Sequence, residues 1–309
     1  MFKPLSFIIE TFRIVRLTFI FLVLAAGAYT QAQPTRVAYK SPKLDAEVRE
    51  KMAALASSDP VARAAAACAL GRMQRRAVAA IPSLVALMSD GTAIKPDQSC
   101  GQQEPFEDEE WQPRYPEVYE PSPGQAATQA LMAIGEPAMR ALKDALLLSE
   151  DWRVRKNAAW ALAHRGEAVE PLITALQDPV WQVRAEAAYA LLQRGGDRHL
   201  VIWALVARLK DEAWQVREQA AMALAQKGSS GEDFFPPLLE ALKDENVKVR
   251  NAVASALGFS SNDRELDLLI AARHDPDKQV RAGVRRAIDI IKQRMNGTTT
   301  NLRQRKIPN

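Results

Sequence analysis

The sequence predicts an all-α solenoid, a right-handed superhelix of about seven two-helix repeats. Two observations lead there. The first is composition: 48% of the 309 residues are apolar, aromatics are only 6% and glycines number 14, which suits Ala- and Leu-rich helices over a turn-rich sandwich. The second is a fixed period, the mark of stacked supersecondary units. DWRVRKNAAWALAHRG from Asp151, DPVWQVRAEAAYALLQRG from Asp178, DEAWQVREQAAMALAQKG from Asp211 and DENVKVRNAVASALGFSS from Asp244 align without gaps around an arginine.

Residues 1–32 read as a secretory signal: Lys3, Arg13 and Arg16 precede an apolar run from Leu17 to Ala28, with small residues at Ala26, Ala28, Thr30 and Ala32. The competing reading is an uncleaved anchor, but the run falls short of the roughly 20 residues that cross a bilayer. The mature chain is therefore expected outside the cytoplasm, periplasmic or extracellular, with no membrane association after cleavage. Its formal charge drops from +4 to +2, too balanced for a phosphate-neutralising nucleic-acid binder. Residues 33–41 are a linker, the solenoid spans 42–295, and residues 42–57 form an amphipathic helix that caps the first unit.

The anchoring arginines Arg155, Arg184, Arg217, Arg250 and Arg281 are spaced 29, 33, 33 and 31 residues apart. Arg63 anchors an earlier copy, and Gly124 stands at the anchor of another. Asp178, Asp211 and Asp244 suit helix capping, and the prolines after Asp59, Asp178 and Asp275 suit a helix entrance. Apolar residues one before and three, six and seven after the anchor share one helical face. The sixth is alanine in every copy (Ala69, Ala130, Ala161, Ala190, Ala223, Ala256, Ala287), which predicts the closest helix approach there. Gly135, Gly166, Gly195 and Gly228, eleven after, are expected to end the helix in a left-handed turn. A second helix follows in each unit, and the pair must stack on its neighbours to bury its apolar stripe.

The D…VR..AA.AL..G pattern, over roughly residues 55–292, resembles HEAT repeats, specifically the short class named after the phycobilisome lyases. That resemblance implies a polar ladder between neighbouring units, built from Asp59, Asp178, Asp211, Asp244 and Asp275 with their arginines. It says little about function, since the same scaffold hosts lyases, hydroxylases and adaptors.

Five residues after the anchor the pattern goes free: Cys68, Gln129, Trp160, Tyr189, Met222, Ser255 and Arg286. Trp160, Tyr189 and Met222, on successive units, read either as a binding strip or as filling between repeats. His164, Gln193 and Gln226 would form its polar margin. Trp152, Trp181 and Trp214, three before their anchors, read as packing under the first turn.

Arg63 and Gly124 are 61 residues apart, about twice the period, so an insert occupies about residues 91–123. It holds seven acidic residues between Glu104 and Glu120, with Phe106, Trp111, Tyr115 and Tyr119 among them. Four aromatics suggest an ordered loop over the first repeats, against the alternative of a disordered acidic one. The two cysteines, Cys68 and Cys100, read as a disulfide or as two free thiols, with the bridge preferred in an exported chain. Residues 296–309 are expected as a frayed tail.

No catalytic motif stands out. His164, His199 and His274 lie in different units without a metal-ligand pattern, and GxSxG, CxxC and HExxH are absent. No cofactor or metal is expected. The functional expectation is a non-enzymatic scaffold whose groove binds a protein or peptide; a lyase-type enzyme acting in the same groove is the alternative that the resemblance leaves open.

Overall fold

The structure is a computed structural model that describes residues 45–95, 121–163, 168–192, 198–227, 235–259, 269–270 and 272–304. Residues 1–44, which include the expected signal (1–32) and linker (33–41), lie outside these, as does most of the insert. From Asp45 onward the chain is one compact unit. Its helices, in order, are α1 (Ala46–Ala54), α2 (Pro60–Met73), α3 (Ile81–Leu87), α4 (Pro123–Ile134), α5 (Glu136–Leu148), α6 (Trp152–Ala163) and α7 (Val169–Ala175). They continue as α8 (Trp181–Leu192), α9 (Arg198–Arg208), α10 (Trp214–Lys227), α11 (Phe235–Ala241), α12 (Val247–Phe259) and α13 (Lys278–Gln304). No strand occurs among the described residues. The all-α solenoid is thus the fold.

The pairing inside each repeat differs from the sequence expectation. The second helix of each unit packs more extensively on the motif helix that follows it than on the one before: α5 on α6, α7 on α8, α9 on α10, α11 on α12. A short turn between them holds the two helices close. By the same pairing α1 belongs with α2, so it is the first half of repeat 1 and not a separate cap. Repeats 1 to 6 are then α1–α2, α3–α4, α5–α6, α7–α8, α9–α10 and α11–α12, with α13 closing repeat 7. The insert interrupts the turn inside repeat 2.

The motif helices α2, α4, α6, α8, α10, α12 and α13 stack on one another, and the leading helices touch one another far less. Small side chains explain this. Ala130, Ala161, Ala190, Ala223, Ala256 and Ala287 are at most 3% exposed, while Ala69 in the first repeat is half-buried. A Cβ on Gly71 would lie 2.9 Å from the Cα of Ala130, so α2 and α4 meet there backbone to backbone. Closer spacing in the motif layer than in the leading layer bends the array, with the motif helices on the concave side. Between the layers, Leu70, Leu131, Leu162, Leu191, Leu224, Leu257 and Ile288 form a continuous buried column.

A ladder joins the repeats. Arg63 donates to Asp90, Arg155 to Asp178, Arg184 to Asp211, Arg217 to Asp244 and Arg250 to Asp275, each from Nε to Oδ2 at 2.6–2.9 Å. The last four are bidentate. Each Nη1 also donates to two carbonyls of its own repeat's turn, as Arg184 does to Asp178 at 2.9 Å and Pro179 at 3.1 Å. Asp90, and not Asp59, fills the second repeat's place, because Asp59 lies four before its anchor and caps α2 through the Val61 N–H.

The ladder aspartates lie six before the anchor and hold the turn instead of the helix end: Asp178, Asp211 and Asp244 accept from Val180, Ala213 and Asn246. Pro60 enters α2 as expected, but Pro179 and Pro276 sit in turns, where their carbonyls accept from Arg184 and Arg281. One rung is missing from both sides. Gly124 replaces the arginine of repeat 2, and Ser149 stands where repeat 3 would supply the aspartate. A Cβ at Gly124 would meet the Met88 and Asp90 carbonyl oxygens at 2.7 and 2.8 Å. Those carbonyls are met by the Asn157 amide and the Gly124 N–H.

Gly135 ends α4 at φ 84°, as expected of a glycine there, though its ψ of −139° is not the left-handed helical value. Gly166, Gly195 and Gly228 lie outside the described residues. Gln74 occupies the same place in repeat 1 with φ 49°, the one non-glycine with positive φ among the described residues. At the other end α13 runs on as helix to Gln304, where a frayed tail was expected from residue 296. Arg285 stands exposed at the position where Ala67, Ala159, Ala188, Ala221 and Ala254 are buried.

Two outcomes follow from this geometry. Gln74→Gly should stabilise the chain by about 1 kcal/mol in urea unfolding, because glycine removes the cost of positive φ; an unchanged or lower midpoint would contradict the strain. Burial pushes the Asp275 carboxyl up, but the hydrogen bond from Arg250 and the Asp277 N–H outweigh it and hold it below the usual carboxylate value of 3.8. Its contribution is present above that value and lost as pH falls through the lower folded one. Stability should therefore fall below about pH 4, with a shallower slope in Asp275→Asn. Equal slopes in the two chains would remove Asp275 from the ladder.

Candidate functional site

Residues three before, one after and five after the anchor are four apart, a little more than one turn, so they share a face of each motif helix. The core claims the opposite face, which leaves this one on the concave surface. In α6 the face carries Trp152, Lys156 and Trp160; in α8 Trp181, Ala185 and Tyr189; in α10 Trp214, Glu218 and Met222. The six large apolar side chains are all half-buried, neither sealed in the core nor loose in solvent.

Trp160, Tyr189 and Met222 therefore occupy successive, stacked helices on one surface. The three first-turn tryptophans stand on that same surface, not under the turn as the sequence suggested. The signal was available: three before and five after the anchor are eight residues apart, slightly over two turns. Two of these rings hold cations. The Arg153 guanidinium lies 4.9 Å from the Trp152 ring centre, and Lys248 of the next repeat lies 4.9 Å from that of Trp214.

The polar members of the surface lie at its floor. Glu186, Glu218 and Gln219 are 5%, 6% and 5% exposed. Burial depresses the Lys156 ammonium below its ordinary pKa; Glu186 of the neighbouring repeat pulls it back up, and Arg153 pushes it down further. The surface thus offers aromatic faces, buried acceptors and one partly desolvated lysine, a set suited to non-covalent recognition. Among the described residues no group of three or more His, Cys, Asp or Glu is placed to hold a metal. No described helix is long and apolar enough to cross a membrane.

Other expected site residues fall elsewhere. His164 and Gln193 lie outside the described residues, and Gln226 is in the last turn of α10 with its side chain undescribed. Phe106, Trp111, Tyr115 and Tyr119 of the insert are also outside. The insert's two ends are clamped together, since the Ile94 N–H donates to the Pro121 carbonyl at 2.9 Å. Cys68, 7% exposed on α2, is disulfide-bonded, while Cys100, the other cysteine of the sequence, lies outside the described residues.

Comparisons with known proteins agree with this architecture. The model of the HEAT repeats family matches residues 139–202 and 202–289, which are repeats 3 to 7. No curated protein matches the sequence. Among solved structures, Kap121p is similar at 15% identity over 84% of this chain and 31% of that one, with a TM-score of 0.56. YibA of E. coli is similar at 17% identity over 80% of this chain and 81% of that one, with a TM-score of 0.50. Human deoxyhypusine hydroxylase in complex with glycerol, at 23% identity over 80% and 84% of the two chains, reaches a TM-score of 0.37. At such identities the likeness is one of fold. The two repeats beyond the family match are those with the insert, the missing rung and Gln74. The chain is an α-solenoid that carries HEAT repeats across residues 139–289.

Proposed function

We propose that this chain is an exported, non-enzymatic scaffold, built from repeats of the short phycobilisome-lyase class, that binds a peptide or an extended protein segment along the concave face of repeats 3 to 5. The carrying observation is the set of six half-buried aromatic and thioether side chains on one face of three stacked helices. Aromatic anchors in a partly desolvated groove supply most of the energy at protein interfaces. The helices beneath them are fixed by the ladder and by the alanine columns, so little ordering cost remains at binding. The leader read at residues 1–32 and the bonded state of Cys68 both support export to an oxidising compartment.

Selection of displayed random peptides on the purified chain tests this reading. Enriched peptides should bind, and should lose at least about tenfold in affinity with a Trp160→Ala, Tyr189→Ala double variant whose circular dichroism is unchanged. Equal binding to both chains, or no enrichment, would remove the groove from the function.

A further inference from the structure

The last arginine of the ladder has no carboxylate. Arg281 holds its own turn as the other anchors do, its Nη1 donating to the Asp275 carbonyl at 2.7 Å and the Pro276 carbonyl at 2.8 Å. In the earlier rungs an arginine in this pose reaches, through Nε, an aspartate 23 to 27 residues further along the chain. Beyond Arg281 those places are residues 304–308, which carry no acid, and no acidic residue follows Asp289 in the sequence. The Nε and Nη2 of Arg281 accordingly donate to no described residue. A guanidinium fork is fixed by its turn, half-buried and open.

Its neighbours make the place basic. The residue four after the anchor faces the following repeat: a Cβ on Gly283 would lie 3.3 Å from the Cβ of Ala254. In α13 that offset is Arg285, exposed and one turn from Arg281, whose carbonyl accepts from Arg285 Nε at 3.3 Å. Lys278 and Lys292, three before and eleven after Arg281, fall on the same side of the helix and are exposed as well. Of the acids nearby, Asp275 is taken by Arg250, and Asp277 caps α13 by accepting from the Gln279 and Val280 N–H. Asp289 is exposed, one acid among these four bases.

The regular rungs show what such a fork takes. Arg184 Nη2 donates to Glu212 at 3.0 Å as well as to Asp211, and Arg217 Nη2 to Glu245 at 3.4 Å as well as to Asp244. In both, the group received is an aspartate followed by a glutamate. The head of a second copy's stack does not offer one, because Ser57 stands six before Arg63, where a ladder aspartate would be. We propose that the end face of repeat 7 docks an acidic segment of a separate protein, with an Asp-Glu pair seated in the Arg281 fork beside Arg285. This site lies at the end of the stack and does not depend on the groove.

The probe is a capped hexapeptide copying residues 242–247, which hold the Asp244 and Glu245 that fill the Arg217 fork, compared with the same peptide carrying Asn and Gln in their places. Binding to the purified chain is followed by the arginine Nε–H resonances in nuclear magnetic resonance, with Arg281 identified by its loss in Arg281→Lys. The acidic peptide should shift the Arg281 resonance and bind about tenfold more tightly than the amide peptide. High salt should narrow that difference. Arg285→Ala, at an exposed position, should weaken the acidic peptide alone. Equal binding of the two peptides, or an Arg281 resonance that the acidic peptide leaves unmoved, overturns the assignment. Self-association of the native chain that Arg281→Lys abolishes would also overturn it, because the fork would then belong to a second copy.

Discussion

The structure depends on one buried interaction repeated along its length, the guanidinium that closes its own turn and reaches the carboxylate of the next. Taking both charges out of water is expensive, and their attraction offsets that cost only when geometry and hydrogen bonds are complete. Here they are. In each regular rung the arginine spends its donors on two carbonyls and a bidentate carboxylate, and the carboxylate accepts from a turn N–H as well. The side chains of Arg184 and Asp211 are only 7% and 3% exposed. A lone partner would be a buried, unmet charge. That asymmetry explains the junction of repeats 2 and 3, where arginine and aspartate are absent together and Gly124 and Ser149 stand instead.

The ladder fixes how repeats follow one another; the alanine columns fix how closely. Because the small residues line the motif layer, that layer is compressed and becomes the concave side. The face left over on each motif helix then points into the hollow, and its residues are free of the repeat's constraints. The face that holds the stack and the face that varies are in this way separated within a single helix. Substitutions three before and five after the anchor change this face with least effect on the stack, whereas residues one after it, such as Ala185 and Glu218, are buried against the neighbouring motif helix.

Most of the fold was legible because its constraints repeat. The anchor, the alanine column and the leucine column each recur at a fixed offset, so even one sequence shows them several times. What misled was register. Asp59 and Asp151 lie four before their anchors, Asp178 and Asp211 six before, and the shared period hides the difference; in three dimensions the first pair caps helices and the second joins repeats. Pairing of helices was misread for a related reason, since periodicity fixes the length of a unit but not where it begins. The proposed binding face was marked in part. Trp160, Tyr189 and Met222 stand out because they break the pattern, whereas Trp152, Trp181 and Trp214 repeat within it and read as frame.

A double-mutant cycle on Arg184 and Asp211 tests the central claim, that the carboxylate–guanidinium rung couples adjacent repeats. Each single leucine substitution should cost about 3–5 kcal/mol in urea unfolding, because it strands a buried charge. The double leucine variant should cost much less than the two together, because it strands none. Costs that simply add would show the two side chains acting independently, and the ladder would no longer account for the stack.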